Sequence, residues 1–241
     1  MIHAERLERR RALREEAIVD AALGLLAHEG LEGLTLQRVA GALDCVPAAL
    51  YRYYPGKDAL VAAMQRRTVS ALHARLTAFE AGLGAHLAGL DLTARERALA
   101  AVLGLGRFFF DAHAAMPEAF RLVQALLADP RRLVGDADAA RTAPLVAALF
   151  ADLGRIVAEA AERGALEPGE ATLRVLVLWA ALQGALSLEK LARFEPARID
   201  VRAIGRAAQA ALLRGFGARP AALARALAAL DGFVPVEPAA T

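Results

Sequence analysis

The residue types that carry out covalent chemistry are scarce in this chain. Its two serines, Ser70 and Ser187, stand outside any Gly-x-Ser-x-Gly elbow, so neither is set up as a nucleophile. The five histidines, at positions 3, 28, 73, 86 and 113, never fall four residues apart, so no helix face offers two imidazoles to a metal. Cys45 is the only cysteine, which excludes an intrachain disulfide and a cysteine-based zinc site. Its apolar turn position reads as a buried structural thiol rather than a redox sensor. Gly104-Leu105-Gly106 lacks the preceding strand that a phosphate-binding loop needs, and Gly135-Asp136-Ala137-Asp138 reads as an acidic turn rather than a metal site. No catalysis, metal or cofactor is expected.

Binding chemistry is better represented, between Leu34 and Lys57. Thr35 is a good helix N-cap, and Val39, Ala40 and Leu43 give a short helix one buried face up to Asp44. After the turn Asp44-Cys45-Val46, Pro47 suits the first position of a second short helix, Pro47 to Tyr53, which Pro55-Gly56 ends. Two short helices joined by a three-residue turn, with a longer helix on each side, read as a helix-turn-helix, whose second helix enters the major groove of DNA. In this register Leu50 and Tyr54 face the core, while Pro47, Ala48, Ala49, Tyr51 and Tyr53 point outward. Small residues at the tip of an exposed helix let the backbone approach thymine methyls, and phenols behind them reach phosphates. On spacing alone, a plain surface turn accounts for the segment equally well.

The elements that must position this segment are expected to be helical throughout. The chain has 241 residues, 57% apolar and 23% charged, enough to bury a sizeable core. About 100 positions are Ala or Leu and only 5% are aromatic, so the fold class is all-α and a β-sandwich or barrel is excluded. Before the motif, a helix from about Ala4 to Glu29 carries Ile18, Ala22, Leu25 and Leu26 as its apolar stripe and stops at Gly30. After it, helices are expected from Lys57 to about Glu80, then over Thr93–Ala114, Pro117–Ala128, Arg141–Arg163, Glu170–Ala192, Val201–Gly215 and Pro220–Leu230. Breaks are expected at Gly82-Leu83-Gly84, Asp129-Pro130, Gly135-Asp136, Pro168-Gly169 and Glu195-Pro196.

Net charge is +2, and residues 1–57 hold eight cations and eight anions, so any DNA binding must come from where the charges sit. The charged opening MIHAERLERRR lacks the apolar stretch of an export signal. The longest apolar run, Val175 to Leu182, is short for a membrane span of about 20 residues. A soluble cytoplasmic protein with no membrane partner is expected.

The stretch REEAIVDAALGLLAHEGLEGLTLQRVAGALDCVPAALYRYYPGKDAL resembles the DNA-binding domain of the tetracycline-repressor (TetR) family. The pattern matches at Ile18, Ala22, Gly30, Thr35, Ala40, Leu50, Tyr51, Pro55, Lys57 and Leu60, over about residues 14 to 61. The resemblance implies that Thr35, Tyr51, Tyr53 and Lys57 contact phosphates, and that Gln37, Arg38, Pro47, Ala48 and Ala49 lie against bases or nearby sugar. Lys57 carries a physical argument of its own. A lysine in a helix's first turn opposes the dipole by about 0.3–1 kcal/mol, and a bound phosphate offsets that cost. Three positions depart from the family pattern: Asp44 replaces glycine, Val46 replaces a Ser or Thr N-cap, and Tyr53 stands where histidine is common. Asp tolerates the left-handed conformation such a turn needs, whereas Val46 removes a cap and a phosphate contact.

On the same resemblance, the rest of the chain is an effector-binding and dimerisation domain. Trp179-Ala180-Ala181-Leu182-Gln183-Gly184 resembles a Trp-x-x-x-His-Gly signature of one C-terminal subgroup, with Gln183 at the histidine position. Gly184 in mid-helix costs about 1 kcal/mol against alanine unless something approaches closely, and a partner helix is the obvious candidate. Leu176, Ala180, Gly184, Leu188, Ile204, Ala208 and Leu212 are the faces expected to form a four-helix bundle between two subunits. Near the aromatic run Phe108-Phe109-Phe110, an effector pocket is expected from Phe109, His113, Met116 and Phe120, with Trp179 and Gln183 as its polar edge. Aromatics at helical spacing are more often plain core, and the pocket suits a small apolar or aromatic molecule.

The expected organisation is a helix-turn-helix domain over residues 1–56, a helical effector-binding and dimerisation domain over 57–231, and a disordered tail over 232–241. The implied function is a transcriptional regulator, most often a repressor, that binds a palindromic double-stranded operator as a homodimer and leaves it when a small effector binds. The rival is a helical ligand-binding or interaction protein that has lost DNA binding, motivated by Val46 and the balanced charge of the first 57 residues.

Overall fold

The computed structural model describes residues 2–128 and 135–235, and every regular element among them is an α-helix. In chain order these are α1 (Ile2–Gly33), α2 (Leu36–Ala42), α3 (Pro47–Tyr51), α4 (Lys57–Ala88), α5 (Ala94–Ala115) and α6 (Pro117–Ala128). They continue as α7 (Asp136–Glu162), α8 (Ala171–Ser187), α9 (Glu189–Ala192), α10 (Val201–Gly215) and α11 (Pro220–Asp231). The break expected at Asp129-Pro130 lies outside the described residues. The all-α fold follows from a chain rich in Ala and Leu, whose side chains lose little freedom in a helix.

Several boundaries differ from the sequence expectation. Gly30 is a kink rather than a stop: at φ 71° and ψ −176° it leaves the helical region, and one more turn follows to Gly33. The break expected at Gly82-Leu83-Gly84 is absent, because α4 buries Leu76, Phe79, Leu83 and Leu87 along one face. Burying a leucine is worth about 1.5–3 kcal/mol, which outweighs a glycine's cost of about 1 kcal/mol in a helix. α7 begins at Asp136, not Arg141, and places Asp136 and Asp138 at the positive end of its dipole. Asp138 is bound by Arg141 and lies 3.6 Å from Arg66, so the expected acidic turn is a helix start. The single helix expected over Glu170–Ala192 divides at Leu188 into α8 and α9.

The chain forms two compact units. One comprises residues up to Ala71 with 113–146, and the other comprises 72–112 with the chain from 147 onward. The first unit therefore extends beyond the expected 1–56 boundary and recruits α6. Its core joins Ile18, Ala22, Leu26, Leu34, Val39, Leu50, Leu60 and Met64 to Leu122, which is fully buried. Arg121 Nη1 adds a hydrogen bond to the Ala27 carbonyl at 2.9 Å.

The larger unit centres on Leu76, Phe79, Leu99, Val102, Leu103, Val157, Leu178, Leu213 and Ala226. Glycines allow its helices to approach closely. A Cβ at Gly104 would lie 2.5 Å from Leu83 Cδ2, and one at Gly106 would collide with Gln209 Oε1. Gln209 is buried there, and its Nε2 donates to the Val102 carbonyl at 2.9 Å. The start of the expected disordered tail is also placed in this unit. Phe233 is 4% exposed and stacks edge-on against Phe79 at 5.3 Å; residues 236–241 lie outside the described residues. Two stretches, Ala94–Ala115 and Ala171–Ala192, are long and apolar enough to cross a membrane by length and composition, and more than half of the first is buried within the protein.

Candidate nucleic-acid interface

The interface is built on α2 and α3. Thr35 stands in an extended conformation at φ −134° and ψ 152°, and its Oγ1 accepts from the Arg38 N–H at 3.2 Å, capping α2. Leu36, Val39 and Ala40 are the buried face of that helix, leaving Gln37 and Arg38 exposed. The turn closes through the Cys45 N–H to the Ala40 carbonyl at 3.0 Å, with Asp44 at φ 49°. Asp in place of glycine thus takes up the left-handed conformation that the turn requires. Cys45 is half-buried against the same core.

α3 begins without a side-chain cap, because Val46 has no polar atom to offer, and Pro47 opens the helix. Leu50 is its only buried residue, at 0% exposure, and Tyr54 follows at 8%. Burial, the largest influence, raises the Tyr54 phenol above its ordinary value. Pro47, Ala48 and Tyr51 are exposed, Tyr51 by 56%, while Ala49 and Tyr53 are half-buried. The face of this five-residue helix opposite Leu50 is exposed at Pro47, Ala48 and Tyr51.

Two of the expected DNA-contacting cations are engaged with the protein itself. Arg38 pairs with Glu29, and the Lys57 ammonium donates to the Leu31 carbonyl at 2.5 Å. They tie the interface to α1 on either side of the Gly30 kink, Arg38 through Glu29 before it and Lys57 through Leu31 after it. An ammonium has three donors, so Lys57 retains capacity for a phosphate while it holds that carbonyl.

The expected effector residues fall into two groups. His113 and Phe120 meet edge to face at 5.1 Å in the first unit, where Met116 is half-buried. Phe109, Trp179 and Gln183 belong to the larger unit, where Phe109 stacks on Phe110 at 5.4 Å. Trp179 and Gln183 are half-buried on successive turns of α8, and Gln183 Oε1 is buried without a hydrogen-bond partner among the described residues. The larger unit also contains a cleft of about 250 Å³ that sequence reasoning missed. Phe79, Leu83, Leu87 and Ile156 form its apolar floor, and Glu80, Arg97 and Arg155 lie on its rim. It arises where three helices meet, and no local pattern along the chain announces it.

Of the expected dimer residues, Leu176, Ala180 and Gly184 are exposed on α8, and Leu188, Ile204, Ala208 and Leu212 are half-buried. Leu173, 59% exposed, extends the same face of α8 and was not anticipated. A Cβ added at Gly184 meets nothing within 4 Å among the described residues, so no described helix requires the glycine.

The class these elements define is an N-terminal helix-turn-helix domain followed by a larger helical domain, the TetR-like all-α fold. Residues 18–64 match the family model for bacterial regulatory proteins of the tetR family. The HTH-type transcriptional repressor DrrR1 of Streptomyces coeruleorubidus is 44% identical over 52 residues, which are 22% of this chain and 19% of that repressor. The match thus spans about a fifth of that curated relative's length. Among solved structures, the TetR family transcriptional regulator PfmR from Thermus thermophilus superposes with a TM-score of 0.54 at 19% identity, covering 82% of this chain and 97% of that one. The transcriptional regulator FadR from Bacillus subtilis, in complex with stearoyl-CoA, superposes with a TM-score of 0.56 at 14% identity, covering 83% and 98%.

Proposed function

We propose that this protein is a TetR-type transcriptional regulator, acting as a repressor in the cytoplasm, that binds a palindromic operator as a homodimer and leaves it when a small apolar effector binds. The observation that carries the reading is the outward face of α3. Pro47, Ala48 and Tyr51 stand exposed on a helix anchored only by Leu50, within a segment that matches the family model. In this reading Thr35, Tyr51, Tyr53 and Lys57 hold phosphates, and Gln37, Arg38, Pro47, Ala48 and Ala49 face the bases. Two copies join through α8 and α10, where Leu173, Leu176, Ala180 and Gly184 leave an apolar stripe open.

The effector reading rests on the larger unit. Its buried Gln183 Oε1 lacks a donor, and FadR of Bacillus subtilis, with a similar fold, is in complex with stearoyl-CoA. An apolar molecule bearing a hydrogen-bond donor matches the side chains Phe109, Trp179 and Gln183. His113, Met116 and Phe120 belong to the first unit and stand outside this set. α4 runs unbroken from Lys57 to Ala88 and is the covalent route by which binding reaches the first unit.

A second reading, loss of DNA binding, is favoured by the uncapped start of α3 and by the engagement of Arg38 and Lys57 with Glu29 and Leu31. Selection of duplexes from a random-sequence pool with the full chain separates the two. Recovery of a palindrome, bound with an affinity that falls steeply with salt, supports the regulator. Failure to enrich any duplex at low salt overturns it in favour of the second reading.

A further inference from the structure

Small residues hold the cleft of the larger unit open. Along α5, Ala94, Ala98, Ala101 and Leu105 recur at helical spacing on the face that lines it, and the three alanines leave the gap to α4 and α7 unfilled. On α4, Gly84 lines the same space, and a Cβ there would meet nothing within 4 Å among the described residues. Glycine inside a helix is unfavourable beside alanine, and no described neighbour requires this one. The remaining walls are apolar, with Phe79, Leu83, Leu87, Leu105 and Ile156 all buried.

One polar group of the lining is left unmatched. Glu80 Oε2 accepts from Arg155 Nη2, whereas Glu80 Oε1 is buried without a hydrogen-bond partner among the described residues. A buried carboxylate oxygen is stabilised by a donor, and such charge-assisted bonds are short and strong. The arginines of the rim are already engaged. Arg155 pairs with Glu80, Arg163 pairs with Glu159 at 3.0 Å, and Arg97 donates to the Leu87 and Leu92 carbonyls at 3.4 and 3.3 Å. Arg97, Arg155 and Arg163 outnumber Glu80 and Glu159 by a single charge in the lining. An anion placed there would face Glu80 and leave Oε1 unmatched, and an ammonium would face the guanidinium groups. A neutral hydroxyl avoids both repulsions and supplies the donor.

We infer that this cleft is a binding site for a neutral aliphatic alcohol, whose hydroxyl donates to Glu80 Oε1 and whose chain lies on Leu83, Leu87 and Ile156. The volume sets the size. About 250 Å³, at the roughly 30 Å³ that one water occupies in the liquid, holds about eight heavy atoms. The lining sets the shape: it is mostly Ala, Leu and Ile, and the Phe79 ring is already packed by Phe108 at 5.5 Å and Phe233 at 5.3 Å. The site shares no residue with Phe109, Trp179 and Gln183, and it does not rest on the DNA-binding reading. A hydroxyl on Oε1 leaves the bond from Arg155 to Oε2 in place. The ligand thus sits beside a link between α4 and α7 that His73 and Asp152 repeat at 2.6 Å.

The test is equilibrium dialysis of the full chain against 1-octanol, heptyl methyl ether, octanoate and octylammonium. The ether matches the alcohol in heavy atoms and lacks its donor. The wild type is expected to bind one 1-octanol per chain, roughly 10-fold more tightly than any of the other three. In Glu80→Gln the acceptor becomes neutral, and the preference for alcohol over ether is expected to shrink to about threefold, with the ether's own affinity unchanged. Gly84→Leu fills the cleft from α4 and is expected to weaken 1-octanol binding more than about 10-fold without lowering the melting temperature, since leucine is a strong helix former. Ala98→Phe fills it from α5 and is expected to do the same, so the result does not depend on one variant folding.

Equal affinity for alcohol and ether removes Glu80 as the anchor and overturns the site. Tighter binding of octanoate assigns the cleft to anions held by its arginines, tighter binding of octylammonium assigns it to cations, and either result overturns the alcohol. Binding of 1-octanol that survives both Gly84→Leu and Ala98→Phe places the ligand elsewhere. No binding up to the solubility limit of 1-octanol leaves the cleft as a packing feature alone, and the proposal falls. No arm of this test contains DNA, so the regulator reading stands or falls separately, on the selection of duplexes.

Discussion

α3 and α8 both expose apolar side chains, and they do so on opposite terms. α3 has five residues and a single buried anchor, Leu50, yet it is where the sequence is most readable. α8 has seventeen residues and buries Val175, Leu178, Leu182, Ala185 and Leu186, yet on its outward face of Leu173, Leu176, Ala180 and Gly184 only Gly184 falls at a fixed position of a recognisable pattern. In the proposed function the difference has a physical cause. A helix that meets DNA must satisfy a partner whose shape and phosphate spacing are fixed, so few residue choices fit. A helix that meets a copy of itself needs only mutual complementarity, and many pairs of apolar faces provide it.

The sharpest test of that contrast is to remove one leucine from each helix. Leu50→Ala empties the only anchor of α3 and is expected to cost about 2–5 kcal/mol in urea unfolding, with loss of DNA binding. Leu176→Ala, at a position 42% exposed, is expected to leave the unfolding of the single chain nearly unchanged while weakening association of copies. Equal destabilisation by the two substitutions would erase the distinction between an anchor and an interface.

Gly184→Leu presses the comparison from the other side. The side chain has open space within its own chain, so the fold is expected to keep its helicity. Against a second copy the added bulk is expected to cost about 1–3 kcal/mol at each overpacked contact, seen as a shift towards monomer in sedimentation over a dilution series. A dimer indifferent to the leucine would place the interface away from α8.

At the DNA face, Lys57→Ala is expected to flatten the salt dependence of binding by about one unit of slope, the signature of one lost phosphate contact. Because Lys57 also donates to the Leu31 carbonyl, a modest loss of stability should accompany it, and thermal unfolding reads the two effects separately. Gln37→Ala is expected instead to change which base is preferred in a repeated selection, since a side-chain amide reads base edges rather than backbone.

The smallest expected effect lies at the start of α5. Glu96 accepts from the Thr93 N–H and hydroxyl, both at 2.8 Å, and faces Arg225 at 3.1 Å. These contacts, the Thr93 backbone bond foremost, hold its carboxyl below the usual 4.5. A depressed folded value means the stabilisation is complete above the unfolded value and is lost as pH falls through the folded one. Glu96→Gln is therefore expected to lower the melting temperature slightly at neutral pH, with the gap to wild type closing below about pH 4. A gap that persists unchanged in acid would assign the effect to packing.

The legible parts of this protein share one property: their signals are local. Asp200 accepts from the Arg202 and Ala203 N–H groups, and α10 runs from Val201 to Gly215, the span expected from the sequence. Thr35 caps α2, Asp44 takes the left-handed turn, and Leu50 points inward, each decided by residues only a few positions apart. The same short range explains what sequence reasoning did not see. The cleft beside Phe79 and the pairing of Arg38 with Glu29 depend on which residues arrive from elsewhere.

By itself, then, the sequence determined the helical class, the register of the helix-turn-helix and the inward turn of Leu50, whereas Ala49 and Tyr53, read as outward, are half-buried. Capping, helix propensity and i,i+4 spacing act over a single turn and need no distant partner. Only the tertiary structure decided that α4 runs on through Gly82 and Gly84, that α6 joins the first unit through Leu122, and that Lys57 holds a carbonyl 26 residues away. Those outcomes depend on burial, whose free energy is set by the area a neighbour covers, and the neighbour's identity is not written in the local chain.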